Sequence, residues 1–301
     1  MKILVTGGTV FVSKYIAEYF SLKGFEVFVL NRNTKPQLPN VHLIECNRKA
    51  INGKLKGLHF DTVIDVNAYT GEDINLLLDS LDSFDNYVMI SSSAVYPETL
   101  DLPFKESDKC GKNKFWGSYG INKIAAENAL FKRVPNAYII RAPYLYGEYN
   151  NVYREAFVFD CAERNMPFYL PNDGSMLLQF FHVDDLSRFI EILLNTKPKQ
   201  QIFNVGNTPI TIKDWVTICY KAAGKVPHFK NICDDTEQRN YFPFYNYEYV
   251  LDITAQNSLM PRLLPLQEGL QRAYNWYKQN RNEVKAKNYF DYIENNFTHK
   301  K

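Results

Sequence analysis

A chain of 301 residues, 46% hydrophobic and 23% charged, can bury a sizeable core and is long enough for two lobes. A formal net charge of +2 is too close to neutral to attract nucleic acid or a membrane surface electrostatically, and the short basic clusters Lys109/Lys112/Lys114 and His299-Lys300-Lys301 read as solvated faces. Five cysteines and five histidines form no close pair and no metal-ligand spacing, which argues against zinc and against a disulfide framework.

Met1 runs directly into the strand-like KILV without a signal-peptide layout, and no apolar run approaches membrane-spanning length, so the expected location is the cytoplasm. Residues 2 to 6 are apolar and partly β-branched; Gly7 and Gly8 follow, then a helical period through Tyr15, Ile16, Tyr19 and Phe20 that closes at Gly24. The strand FEVFVL comes next, completing a βαβ unit, a motif that packs as parallel sheet. The alternation continues through VHLIE, DTVIDV, a helix near 72 to 82, NYVMIS, a helix within 115 to 131 entered through Gly117 and Ser118, and AYIIRA. Apolar runs at 63 to 66, 87 to 90 and 138 to 140 are continuous rather than alternating, as in strands covered on both faces. The pattern predicts a doubly wound, Rossmann-like α/β domain whose ligands gather at the carboxyl ends of the strands.

After Gly147 the texture turns aromatic and rich in Asn and Pro, with one helix expected at 153 to 164. Asp184 or Asp185 is the expected N-cap of a helix LSRFIEILL. Further helices are expected around Asp214 to Ala223 and from Leu266 onward. The expected division is a dinucleotide-binding domain over 1–147 plus 180–204, and an interleaved, smaller substrate-binding lobe over 148–179 plus 205–301.

Two stretches carry chemistry. The turn TGGTVFVS at 6 to 13 lies where a parallel sheet holds a pyrophosphate on a helix N-terminus, with backbone N–H groups and the dipole aimed at the anion. Further on, Tyr119 and Lys123 stand four residues apart on one helix face, and an ammonium beside a phenol favours the phenolate, which suits Tyr119 to acid/base work. The same spacing at Tyr19/Lys23 and Tyr274/Lys278 reads as surface helix positions.

Six motifs, TGGTVFV, SSSAVY at 91 to 96, SYGINK at 118 to 123, RAPYLYG at 141 to 147, FFHVDDL at 180 to 186 and FNVGN at 203 to 207, stand in a recognisable order. With them the chain resembles the extended and atypical branch of the short-chain dehydrogenase/reductase superfamily, the NAD-dependent epimerase/dehydratase group that acts on nucleotide sugars. The likeness runs from Met1 to about residue 215, more loosely through VLDIT and EGLQRAYNWY.

The resemblance implies Ser92, three residues before Val95, as third catalytic partner of Tyr119 and Lys123, with Ser93 next in register. Tyr119 would take the proton of a secondary alcohol while the carbon gives hydride to a nicotinamide, and Lys123 would hold the nicotinamide ribose. Implied cofactor contacts are Gly7, Thr9, Val10, Phe11, Val12, Asn31, Arg32, Asn67, Ala68, Tyr119, Lys123 and Pro143. Ser93, Tyr144, Gln179 and Arg239 are the implied substrate contacts; the other aromatics here (Tyr146, Tyr149, Phe168, Tyr169) could stack on a base or a sugar but read rather as core. Related 4,6-dehydratases follow their Ser/Thr with Asp-Glu; Ser93 and Ala94 stand there instead, which points to epimerisation or keto reduction.

Several positions depart from the pattern. Val10 and Ser13 replace the second and third glycines, and Asn31 replaces the acidic residue that takes the adenosine ribose. Arg32, with Cys46-Asn47-Arg48 at the next expected acidic position, tilts the expectation from NAD toward NADP. A helical homodimer contact would be usual for the family. The alternative to an enzyme is a non-catalytic NAD(P)-binding regulatory or RNA-associated member of the same group.

Overall fold

The computed structural model describes residues 1–298, so the terminal cluster His299-Lys300-Lys301 lies outside the described residues. The chain divides into two compact units, one of 1–145, 181–207 and 251–263, the other of 146–180, 208–250 and the remainder from 264. The segment Leu251–Leu263, expected in the second lobe, instead belongs to the first unit: the Gln256 amide receives the Gly206 N–H (2.7 Å) and donates to the Gly206 carbonyl (3.1 Å).

The first unit is built on seven parallel strands: β1 (Lys2–Thr6), β2 (Glu26–Asn31), β3 (His42–Glu45), β4 (His59–Asp65), β5 (Ser83–Ser92), β6 (Tyr138–Ala142) and β7 (Ile202–Asn204). Their order is β7-β6-β5-β4-β1-β2-β3, a doubly wound sheet as expected, with the direction of winding reversing between β1 and β4. Helices α1 (Phe11–Leu22), α2 (Gly71–Ser80), α3 (Ser118–Arg133) and α4 (Val183–Thr196) cover both faces. Ile16 and Phe20 of α1 with Leu186, Phe189 and Leu193 of α4 pack on Ile3, Val5, Val27 and Val88. On the other face Ile74 and Leu77 of α2 with Ala126 and Leu130 of α3 meet Leu4, Val63, Tyr87 and Ile139. Each such side chain contributes about 1.5–3 kcal/mol on burial, which is why successive strand residues are apolar without alternation.

Local chemistry sets the helix entries. Thr70 and Asp73 form a reciprocal capping box on α2. The expected cap of α4 is corrected: His182 holds that position, its Nδ1 accepting the Asp184 N–H at 3.1 Å. Asp184 and Asp185 fall inside the first turn, where Asp184 accepts from the Tyr15 hydroxyl and Asp185 pairs with Arg188.

In the second unit the helices 155–163, 212–222 and 266–279 enclose an aromatic core. Phe180 stacks on Trp215 at 5.1 Å, and Phe168 meets Phe157, Tyr220 and Phe242. Tyr146, Phe168 and Tyr169 are buried there. Tyr274 is buried as well, against the surface reading, because its hydroxyl donates to Glu163 at 3.0 Å; Tyr19, in the first unit, is half-buried and donates to Glu191 at 2.6 Å. Among the described residues no helix is long and apolar enough to cross a membrane.

Candidate functional site

The turn after β1 is shaped by two glycines at φ 97° and 94°. A Cβ on Gly7 would fall 2.6 Å from the Ser13 hydroxyl, and one on Gly8 would collide with Val29, so neither position accepts a side chain. Val10, in extended conformation, precedes α1, and no side chain caps that helix. Phe11 enters the helix at φ 41°, a strained conformation for a bulky side chain. Ser13, at the third-glycine position, is buried under Gly7 with its hydroxyl folded back on the Val10 carbonyl (3.0 Å). The serine therefore fits because position 7 lacks a Cβ, and α1 keeps its place behind the turn. Thr9 and Val12 are half-buried beside it.

Asn31, at the end of β2, donates to the Gly7 carbonyl at 2.8 Å and to Gln37 at 3.0 Å, so its side chain latches the glycine turn. Arg32 beside it is exposed and makes no ion pair among the described residues. Arg48 corrects one expectation. It does not face the adenosine end but turns inward, bonding both oxygens of buried Asp65 (2.7 and 2.5 Å), the Asn67 side chain (2.8 Å) and the Asp73 carbonyl (2.9 Å). Asp65 also accepts from Thr6 (2.8 Å) and Tyr87 (2.6 Å). Burial works against its charge, yet the Arg48 guanidinium prevails and holds the carboxyl below its ordinary range. This charge lies inside the run 63 to 66 that the sequence reading treats as apolar, and its partner is what makes the burial tolerable.

At the carboxyl ends of β4 and β5 sits Lys123, only 2% exposed. Its ammonium donates to the carbonyls of Ala68 (2.8 Å) and Ile90 (2.9 Å). Burial pulls its pKa down to about 8, with the Asp65 and Glu127 carboxylates opposing the fall. Glu127, one turn further along α3, is buried with Arg141 of β6 (2.7 Å) and accepts from Ser91. Ser92 is half-exposed at the end of β5; its oxygen accepts the Ala94 N–H at 3.2 Å, and it makes no other hydrogen bond among the described residues. Ser93 is buried in the 3-10 turn that follows.

Gly120 binds these pieces together. Its Cα lies so close to the Ala94 carbonyl that any Cβ would overlap it, which brings the first turn of α3 against the turn that follows Ser92. Tyr119, the preceding residue, is 37% exposed, with its ring 6.4 Å from Tyr69 and 6.4 Å from Trp116; Trp116 in turn is 6.1 Å from buried Tyr144. Tyr69 also lies over the Lys123 ammonium at 5.2 Å. Tyr69 and Trp116 were not singled out by sequence, although Tyr69 directly follows the expected cofactor contact Ala68 and Trp116 stands two residues before SYGINK. Pro143 is buried at the end of β6.

Two expected substrate contacts belong to the second unit. Gln179 is wholly buried there. Arg239 turns back on its own segment, donating to the carbonyls of Phe242 and Pro243 with its guanidinium 4.7 Å from the Tyr245 ring. At the opposite, amino ends of β4 and β5, His59, Asp61 and Asp85 bring ligand-type atoms within 4.8 Å of one another, a grouping that no sequence spacing announced.

Residues 73–206 match the model of the NAD dependent epimerase/dehydratase family. The chain is 28% identical over 303 residues to the chloroplast stem-loop binding protein of 41 kDa b of Arabidopsis thaliana, covering 91% of this chain and 78% of that one. It is 26% identical over 320 residues to a Methanocaldococcus jannaschii protein whose name, itself provisional, is UDP-glucose 4-epimerase, covering 92% and 99%. The fold is that of the Thermotoga maritima UDP-glucose 4-epimerase solved with UDP-glucose, at 18% identity and a TM-score of 0.73 over 93% of this chain and 100% of that one. The family likeness read from the motifs is thus met by a family model over residues 73–206, and the fold agrees with it.

Proposed function

We propose that this protein is an NAD(P)-dependent epimerase or keto-reductase that acts at a secondary alcohol carbon of a nucleotide-linked sugar, with Tyr119 as the acid/base. The observation that carries the reading is the gathering of Ser92, Tyr119 and Lys123 at one end of the sheet, with the lysine buried and its pKa drawn down to about 8. An ammonium has three protons to donate, and two of them serve Ala68 and Ile90. The third is available for a ribose hydroxyl or the Tyr119 oxygen. Ser92 receives a hydrogen bond from the backbone and keeps its own proton for the reacting oxygen of a substrate.

The residues present fit a dinucleotide. Glycines shape the turn, Ser13 is accommodated beneath it, and the uncapped start of α1 leaves N–H donors for a pyrophosphate. When bound, a nicotinamide cofactor supplies the hydride acceptor and donor. Gly7, Thr9, Val10, Phe11 and Val12 would hold its phosphates, Asn67, Ala68, Pro143 and Lys123 its nicotinamide end, and Arg32 a 2′-phosphate; with Arg48 withdrawn, the lean toward NADP rests on Arg32. Ser93 and Ala94 bring no carboxylate to the positions where a dehydratase needs an acid and a base, which favours epimerisation or reduction. Ser93 and Tyr144, both in the first unit, are the substrate contacts we retain.

Fluorescence titration of the purified protein with NADPH and NADH, paired with assays on UDP-hexoses, tests this reading. Tyr119→Phe is expected to leave cofactor affinity intact and to lower turnover by about 10²- to 10⁴-fold, the usual worth of a general acid/base; unchanged turnover would place the acid/base elsewhere. A second reading, RNA association, is favoured by the likeness to the chloroplast stem-loop binding protein. Binding of a labelled stem-loop RNA with no affinity for either dinucleotide would decide for it.

A further inference from the structure

We infer that Tyr69 is a specificity-determining residue that stacks on the apolar face of the substrate's pyranose ring; the inference rests on the proposed nucleotide-sugar chemistry. The chain holds 21 Tyr, 21 Phe and 3 Trp, and the structure buries or half-buries nearly all of those described. Among the exposed large hydrophobic side chains of the described residues only two are aromatic, Tyr69 at 53% and Tyr119 at 37%. They are neighbours, with ring centroids 6.4 Å apart. An exposed aromatic pair near the carboxyl ends of the strands, where ligands gather in a doubly wound sheet, marks a contact surface rather than spare core.

Tyr69 is also held firmly. Its N–H donates to Asp73 at 3.0 Å, the Ala68 carbonyl before it is fixed by Lys123 at 2.8 Å, and Thr70 after it caps α2. With its backbone fixed in this way, Tyr69 has only side-chain freedom to lose when it meets a ligand.

The neighbouring groups indicate which ligand ring is suited to it. Beside the aromatic face stand the Tyr119 phenol and the Lys123 ammonium, and the Ser92 hydroxyl ends β5 at the same carboxyl edge of the sheet. A pyranose matches this arrangement, because one face is a patch of polarised C–H groups and its rim is a set of hydroxyls. The reacting carbon must lie within reach of the Tyr119 oxygen, so the sugar ring that carries it comes to rest beside Tyr69.

Calorimetric titration of wild type, Tyr69→Ala and Tyr69→Phe with UDP-glucose, dTDP-glucose and GDP-mannose, with the matching nucleoside diphosphates and with NADPH, tests this. For whichever sugar nucleotide the wild type binds, Tyr69→Ala should weaken the sugar nucleotide about tenfold. The nucleoside diphosphate and NADPH should be unaffected, and Tyr69→Phe should restore the affinity. Equal loss for the diphosphate would put the ring on the nucleotide, loss for NADPH would put it on the nicotinamide, and no loss would remove it from the site. Any of these overturns the inference while leaving the functional reading standing. A wild type that binds NADPH but no member of the sugar panel would overturn both.

Discussion

Lys123 is charged in a place where water cannot solvate it, and its two carbonyl partners and the more distant Asp65 and Glu127 carboxylates only partly compensate. Its pKa falls from 10.5 to about 8, so between those values the unfolded chain binds more protons than the folded one, and stability rises with pH. Relative to Lys123→Met, wild-type stability should therefore gain about 3 kcal/mol between neutral pH and pH 10.5. Urea unfolding of both proteins at the two ends of that window measures it; tyrosine ionisation cancels in the difference, and a flat difference would mean the lysine is not buried in its charged form. Arg32 has the opposite character, exposed and without an ion pair. Arg32→Ala should weaken NADPH more than NADH, and equal effects would remove the reason for favouring NADP. At this scale the placement of Tyr119 and Lys123 on one helix was legible because four-residue spacing is a local property of a helix. The inward turn of Arg48 was not legible, because nothing in its local sequence signals that Asp65 would claim it.

The element that positions the site is α3. Gly117, at φ 53°, turns the chain into the helix, and Gly120 lets the helix backbone rest against the Ala94 carbonyl. Gly120→Ala would push a methyl group into that carbonyl. The expected cost is about 1–3 kcal/mol, together with a fall in turnover as Tyr119 moves away from Ser92. Denaturation and steady-state kinetics measure the two effects, and a fully active, fully stable variant would show that this contact does not set the site. Helix limits, with the entry of α3 through Gly117, were largely readable from periodicity and turn residues, whereas the cap of α4 was not. Asp184 and Asp185 have the right chemistry for a cap, but the chain enters α4 two residues before the first of them, at His182, and the two carboxylates were left to find Tyr15 and Arg188.

On the scale of the whole molecule, two buried ion pairs fasten the sheet of the first unit to its connections: Arg48 with Asp65, and Arg141 with Glu127. Arg48→Met leaves Asp65 charged and unpaired in the core, and about 3–5 kcal/mol of stability should be lost. Adding Asp65→Asn should recover part of it, and urea midpoints of the single and double variants read the difference; a double variant no better than the single would show that Arg48 stabilises by packing rather than by charge. The doubly wound sheet, its helices on both faces and the glycine turn at its carboxyl edge were determined by the sequence alone, because period, turn residues and continuous apolar runs act within a dozen residues. Only the tertiary structure decided that Asn31 latches the turn, that Gln179 is core, that Leu251–Leu263 returns to the first unit, and that Tyr69 stands open beside Tyr119. Those outcomes depend on which strands lie side by side and in what register, and residues far apart in the chain meet there to satisfy charges and hydrogen bonds that no local pattern encodes.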